Sequence, residues 1–427
     1  MKTIVNLLGK HSGVSDYKIN IHAKESCELF FVKGKLETVR RTDTCDKEVT
    51  VYADHGEFKG DAQFLVYAST TEEQIAAMID EAVEKANLIN NKMYTLPENE
   101  TGVFEVVSNF KDYDPMELAA LMAETTFAAN TVENGTLNSV EVFINKHTET
   151  VVNSRGLHKT QTRYDAMVEA IPTYNGEELS VELYEQYNIN RFDAEEMTRE
   201  IAEKMAEVKA RYEAVKPESV PSCKLILNKR ELSGLFARIA TNLNYAAVYS
   251  HSNVFGKGDL IQKAPTGDKI NIFGVGEAEG CTKSAKFDGD GLSLGSVQGV
   301  EDGKAVNYFG SNRYGQYLGE KPTGDLQCIR VGAGSVKAED LENGPYVEVI
   351  STSGMQVDFF NDYVGGEIRL AYYHDGEKVT PITGISMAGK LSDALNSIQL
   401  SEEIIAYNGF AGYVGPKKAV LHGMKVF

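Results

Sequence analysis

Polar and apolar residues alternate along YKINIHA (17–23), placing Tyr17, Ile19 and Ile21 on one face. A period of two is the mark of a half-buried β-strand. ELFFVKGKLETV (28–39) predicts a hairpin turning at Lys33-Gly34, and EVTVYADHGEFKG and DAQFLVYAS extend the meander. The period then lengthens. Ile75, Ile79, Ala82, Val83 and Ala86 recur on one helical face, behind a capping box formed by Thr70 and Glu73. This first unit closes near Pro97.

A second unit opens at Asp114-Pro115, an N-cap and N1 pair with Glu117 at N3, and its helix runs to about Thr131. VEVFIN (140–145) and TETVVNS (148–154) read as strands, with extended chain continuing to about Asn190. Asp193 and Glu196 then cap a long charged helix with an apolar seam of Met197, Ile201, Val208, Tyr212 and Val215, and Pro217 stops it. A third unit starts with a buried strand, CKLILN (223–228). Asn228 and Glu231 cap the helix after it, which carries Leu232, Leu235, Phe236, Ile239 and Leu243 and runs into NYAAVYSHSNVF (244–255). Beyond that the chain is β-rich and ends in an extended strand, AVLHGMKV. The expected fold class is α+β, divided into an N-terminal α+β domain (1–100), a central α+β region (101–217) and a β-rich C-terminal domain (218–427).

Composition sharpens this division. A chain of 427 residues exceeds what one hydrophobic core usually serves. Of its 38 glycines, 10 precede residue 256 and 28 lie from there on, so turns and short strands concentrate in the last part. A net charge of −19, without any Lys/Arg-rich stretch, argues against direct nucleic-acid binding. No apolar run reaches the ~20 residues that span a bilayer, and the N-terminus lacks the h-region and cleavage site of an export signal. The five cysteines (Cys27, Cys45, Cys223, Cys281, Cys328) are odd in number and never in a CxxC pair. That usage predicts free thiols in a reducing cytoplasm.

A hydrolase needs an activated nucleophile or a metal-bound water. The eight histidines (His11, His22, His55, His147, His158, His251, His374, His422) are scattered, and neither HExxH nor HExxxH occurs. Ser250, His251 and Ser252 are chain neighbours and cannot face one another as nucleophile and base, so His251 reads as a helix-end residue. GVGEAEG (274–280) has the wrong glycine spacing for a dinucleotide loop and no helical pattern after it. FDGDGL (287–292) lacks the further ligands of a calcium loop and reads as a turn. In YYHDGEKV, Asp375-Gly376 makes a hairpin turn that accounts for His374. No catalytic, cofactor-binding or metal-ligating residue, and no cofactor, is predicted.

Several stretches together resemble the TldD/PmbA family, also called modulators of DNA gyrase. SDYKINIHAKES through FLVYASTTEEQIAAMIDEAVEKANLI looks like that family's first domain, and VVNSRGL (151–157) is similar to its central strand-and-turn signature. VGGEIRLAYYHDGEKVTPITGISMAGKLSDALNSI (364–398) is similar to its C-terminal core. The resemblance covers essentially the whole chain. It implies two cooperating branches. TldD-like members are zinc peptidases, with HExxxH on the helix opening the C-terminal domain and a cysteine ligand near the C-terminus. PmbA-like members, also called TldE, lack both and act as partner subunits. Here that helix reads ELSGLFARIATNLNYAAVYSHSNVF, with Phe236 and Ala237 among its non-ligands, and Tyr413 stands in the Gly-flanked turn where the cysteine is expected. The resemblance therefore implies a PmbA/TldE-like subunit, without its own zinc site, of a cytoplasmic peptidase system acting on unfolded peptides. It would pair with a TldD-like subunit or with itself. Two alternatives remain: a peptidase with an unrecognised site, and a regulatory protein acting on DNA gyrase or a toxin–antitoxin system.

Overall fold

The period-two pattern at the N-terminus folds into a meander. A computed structural model describes residues 1–409 and 411–427 of the chain. After helix α1 (Lys2–Lys10), strands β1 (Asp16–Val32), β2 (Lys35–His55) and β3 (Phe58–Val66) run antiparallel. The first hairpin turns where expected: Lys33 and Gly34 have φ of 48° and 74°, as a two-residue I′ turn requires. Helix α2 (Glu72–Ala86) starts one residue later than the pattern indicates. Thr71, not Thr70, accepts from the Gln74 N–H, and the Gln74 side chain accepts from the Thr71 N–H. Thr70 is instead occupied in accepting from the Tyr67 N–H, closing the preceding turn.

The next segment extends the same sheet. It contains β4 (Thr101–Glu105), α3 (Pro115–Ala128), β5 (Gly135–Asn153), β6 (His158–Asn175), β7 (Ser180–Glu182), β8 (Glu185–Ile189) and α4 (Ala194–Glu213). Asp114 and Asp193 cap α3 and α4 as predicted, each accepting two backbone N–H bonds. The strands expected at 140–145 and 148–154 are one continuous strand, β5. Sheet order is β3-β2-β1-β5-β6-β4, with β7 and β8 also on β6. One face is apolar and lies under the helices. Ile19, Val49 and Val51 pack with Ile75 and Ile79 of α2, while Val140, Val142 and Val168 pack with Leu118 and Met122 of α3 and Met205 and Val208 of α4. In α4, Met205 takes the core position and Val215, expected in the seam, lies beyond the helix and is exposed.

The remaining chain builds two sheets around one helix. Its first elements are β9 (Lys224–Asn228), α5 (Lys229–Asn242), α6 (Tyr245–Tyr249), β10 (Ile272–Val275), β11 (Ser296–Glu301) and β12 (Lys304–Ala305). Then come α7 (Asn312–Tyr317), β13 (Cys328–Val331), α8 (Ala338–Leu341), β14 (Tyr346–Thr352), β15 (Gln356–Asp358) and β16 (Tyr363–His374). The last are β17 (Val379–Ile382), β18 (Ile385–Lys390), α9 (Leu391–Ser397), β19 (Gln399–Leu400), β20 (Ile404–Asn408), β21 (Gly412–Pro416), β22 (Lys418–Leu421) and β23 (Lys425–Val426). One sheet runs β12-β11-β10-β13-β21-β20 and the other β19-β22-β9-β14-β16-β18-β23. Leu232, Leu235, Phe236 and Ile239 of α5 are buried in the core that joins the two, against Ile272, Ile329 and Val331 of one and Leu227, Val349 and Leu421 of the other. AVLHGMKV divides into β22, paired on both sides by β9 and β19, and β23 at the sheet's end. The fold is α+β. Among the described residues, no helix is long and apolar enough to cross a membrane.

A buried ionic node ties the start of β1 to the turn between β5 and β6. Asp16 accepts from Lys59 Nζ at 2.9 Å, from Arg155 Nε at 2.8 Å and Nη2 at 3.0 Å, and from Ser154 Oγ at 2.7 Å. Burial alone would raise the Asp16 carboxyl, but these donors outweigh it and bring it down to about 2. A carboxyl depressed on folding contributes stability that is complete above its unfolded value and is lost as pH falls through the folded one. Asp16→Asn should therefore cost about 1–3 kcal/mol at neutral pH, because it removes the charge shared by Lys59 and Arg155 and leaves Lys59 only its contact with Asp54, at 2.8 Å. Urea titrations of both proteins from pH 7 down to pH 2 check this. The wild type should lose its advantage as pH falls below about 4, and equal stability at neutral pH would refute the role of the node.

Candidate functional site

Two places could carry chemistry. The first is where the family resemblance sets a metal centre, on α5. Asn228 caps this helix as predicted, accepting from the Arg230 N–H, but Glu231 is not part of the cap. It is buried and accepts from Thr352 Oγ1 at 3.0 Å, and burial raises its carboxyl above the usual range. Two turns into the helix, the fully buried Phe236 ring stacks on Tyr413 of β21, with centroids 6.3 Å apart and planes at 11°. The Tyr413 hydroxyl donates to the Pro416 carbonyl at 3.0 Å, and burial pushes the phenol well above its ordinary value. The structure thus brings together the two positions singled out in the sequence, 177 positions apart in the chain but adjacent in space, as an aromatic pair.

The surroundings are equally closed. Parallel pairing of β13 with β21 sets Cys328 opposite Gly412. Cys328 and Cys281 form a disulfide, and both are fully buried. A Cβ at Gly412 would lie 2.1 Å from the Cys281 sulfur, so only glycine fits there. This corrects the expectation of five free thiols. Cys27, Cys45 and Cys223 are free, whereas Cys281 and Cys328 are separated by 47 positions and meet where the loop after β10 folds onto β13, a contact that their spacing does not announce. A zinc ion needs about three free N, S or O donors at ~2.0–2.3 Å. Here stand a phenyl ring and a phenol already bonded to a carbonyl, while the disulfide lies on the other face of β21. These residues do not fit the metal. Among the described residues, no group of three or more His, Cys, Asp or Glu could hold one.

The other singled-out residues are accounted for by local structure. His251 is exposed, in the left-handed region with φ 56°, just past the end of α6. Ser250 Oγ donates to the Ala246 carbonyl at 2.9 Å, and the Ser250 and Ser252 hydroxyls lie 3.0 Å apart. The stretch is a helix stop. His374 stacks on Tyr346 with centroids 4.0 Å apart, beside the turn at Asp375-Gly376. FDGDGL is indeed a turn: Asp288 accepts from the N–H groups of Asp290, Leu292 and Asp325.

The second place was not singled out in the sequence. The N-terminal sheet's other face is polar, and cross-strand pairing across β1, β5 and β6 ranks its residues as His22/Glu149/Gln161, Lys24/His147/Arg163 and Ser26/Asn145/Asp165. Loops of the C-terminal sheets partly cover this face, leaving a cleft of about 440 Å³ between them. Asn408 anchors one wall, donating to the carbonyls of Asn188 and Gly280, both at 2.8 Å. Lys159 anchors the other, buried and donating to the Gly291 carbonyl at 2.8 Å and to Ser293. Inside, Arg163 clamps Glu149 at 2.6 Å, and Gln161 donates to the same carboxylate at 2.7 Å. Burial would raise the Glu149 carboxyl, yet these partners hold it below its usual value. Asp165 is likewise lowered against burial by His147, at 2.8 Å, and Asn145. Asp288 goes the other way: burial first, then the charge of Asp290, pushes it up to about 6. The arrangement is a water-accessible polar cleft at a domain junction, a common setting for a binding site. Alternation in each strand announces a polar face, but only the fold shows that another part of the chain covers it.

Residues 221–426 match the model of the PmbA/TldA metallopeptidase C-terminal domain, a span that contains both Phe236 and Tyr413. The structure of TldE from Thermococcus kodakarensis aligns with 100% of this chain and 99% of its own, at 14% identity and a TM-score of 0.82. A candidate modulator of DNA gyrase from Bacteroides thetaiotaomicron aligns with 100% of this chain and 97% of its own, at 13% identity and a TM-score of 0.77. Another from Thermotoga maritima does so over 100% and 99%, at 14% identity and a TM-score of 0.73. At such identities the likeness is one of fold. No curated protein matches the chain.

If the stacked pair is core, it should behave as core. Phe236→Ala should cost about 3–5 kcal/mol through the cavity it leaves. Tyr413→Phe should cost only about 1 kcal/mol, the net value of one hydrogen bond. Urea unfolding of both variants checks the contrast, and a Phe236→Ala protein as stable as the wild type would contradict it.

Proposed function

We propose that this chain, which belongs to the TldD/PmbA family, is a PmbA/TldE-like partner subunit of a zinc metallopeptidase system that acts on unfolded peptides in the cytoplasm. The observation that carries this reading is the Phe236–Tyr413 stack, buried in the C-terminal core. In the catalytic branch, the resemblance implies histidines and a cysteine at this place. Here the same place is filled with side chains that lend no donor to a metal, so hydrolysis belongs to a zinc-bearing relative. This subunit shapes the chamber in which that relative works.

Cytoplasmic residence and the disulfide are compatible, because both sulfurs are fully buried and soluble reductants reach them only when the fold opens. The association is assigned to the β-rich C-terminal region. Since β22 already has a neighbour on each side, the contact falls to the end of its sheet, where β23 leads into an exposed Phe427. A regulatory role on DNA gyrase is the second reading, drawn from the names of two similar structures. With a net charge of −19 it would act on the enzyme rather than on DNA.

Elemental analysis of the isolated chain, followed by peptidase assays with and without the organism's HExxxH-bearing relative, tests the reading. The chain alone should hold no tightly bound zinc and cleave no peptide, and it should co-elute with the relative and change its activity. About one zinc per chain surviving mild chelation would point to a site built from other residues. Two proteins that elute separately, with the relative's activity unchanged, would end the subunit reading.

A further inference from the structure

The longest strand of the N-terminal sheet is only half partnered on one side. β2 pairs with β1 from Lys35 to Tyr52, but β3 covers only Lys47–His55 of its other edge. Among the described residues no other strand pairs with the part before Lys47. Residues 38–46 are exposed except for Thr42, which is half-buried.

Strand parity fixes what this edge offers. His55 and Phe58 flank a two-residue turn and are partners, so His55 directs its N–H and C=O toward β3, as does every second residue before it. The register of β1 and β2 breaks only at Glu37, which is left over between the pairs Phe30–Thr38 and Phe31–Leu36. From Thr38 onward the alternation therefore holds, and Val39, Arg41, Asp43 and Cys45 turn their backbone groups to the open edge. An edge of this length is a template for another strand.

The side chains decide which strand fits. Consider a second copy lying antiparallel about a two-fold axis. An axis at Arg40 or Arg41 sets arginine against arginine, and one at Asp43 sets aspartate against aspartate. An axis at Val39 runs into the bulge at Glu37, and one at Thr44 runs into Lys47, where β3 takes the edge. An axis at Thr42 meets none of these obstacles. It sets Arg41 against Asp43 twice, Val39 against Cys45 twice and Thr42 against itself, all favourable cross-strand neighbours. Within one chain Arg40 is held by Glu28, whereas Arg41 and Asp43 join no salt bridge among the described residues, and Val39 is 49% exposed.

We propose that two copies of this chain join edge to edge along β2, antiparallel about a two-fold axis at Thr42, so that one sheet runs through both. The contact belongs to the N-terminal sheet and does not involve the β23 end assigned above to the zinc-bearing relative.

Sedimentation equilibrium of the isolated full chain is the test. The wild type should dimerise at micromolar concentration, and less so as salt rises, because the paired charges are exposed. Arg41→Asp and Asp43→Arg each set like charges opposite one another and should weaken self-association at least about tenfold. Mixed in equal amounts, the two variants should dimerise again, because every aspartate then faces an arginine. The mixture also controls for folding, since a misfolded variant would not be rescued by the other. A wild type that stays monomeric, variants that dimerise like the wild type, or a mixture that remains monomeric would overturn the proposal. No relative takes part, so failure here leaves the subunit reading standing, and a relative that does not bind leaves this contact standing.

Discussion

The architecture depends on how the second face of the N-terminal sheet is covered. Helices α1 to α4 bury one face in the ordinary way, through aliphatic side chains. The other face carries charges, and a charged surface can be covered only if each charge finds a partner. Cross-strand neighbours supply them: Glu149 with Arg163, and Asp165 with His147. Lys18 reaches Asp290 on the covering loop at 2.6 Å, while Lys159 reaches Glu100 and the Gly291 carbonyl. The junction is therefore held by directional bonds. It encloses a wet cleft where an apolar junction would have closed completely.

The C-terminal half follows the opposite rule. Its two sheets are joined by aliphatic and aromatic packing around α5, and the place where a metal centre would stand has become part of that core. Phe236 and Tyr413 fill the place where the family resemblance sets metal ligands. An aromatic ring in each position restores packing density where ligands and an ion would have been. An open polar cavity lies at the junction of the two halves, while the C-terminal core is closed around Phe236 and Tyr413.

Local signals in the sequence were legible where a single residue type decides the outcome. Asp114, Asp193 and Asn228 begin their helices as read, because a short polar side chain before an apolar helical pattern has few other uses. Thr70 and Thr71 show the limit: adjacent residues of one type differ only in which turn each completes. Tyr413 was found through resemblance to a family, not through any pattern of its own. The Cys281–Cys328 pair and the ranks His22/Glu149/Gln161 were invisible for a shared reason. They are made by contacts between distant segments, a loop folding onto β13 for the cysteines and strand pairing for the ranks, and alternation gives the face of a residue without its neighbours.

The position of β9 has a consequence for how the molecule is made. This strand opens the C-terminal domain, yet it lies between β14 and β22, and β22 is among the last residues of the chain. The N-terminal sheet is complete once α4 has left the ribosome. The C-terminal core cannot close until β22 has been made, because its first strand waits for that late one. During that interval α5 has an apolar face and no second sheet to cover it, and truncation near the C-terminus would make this exposure permanent.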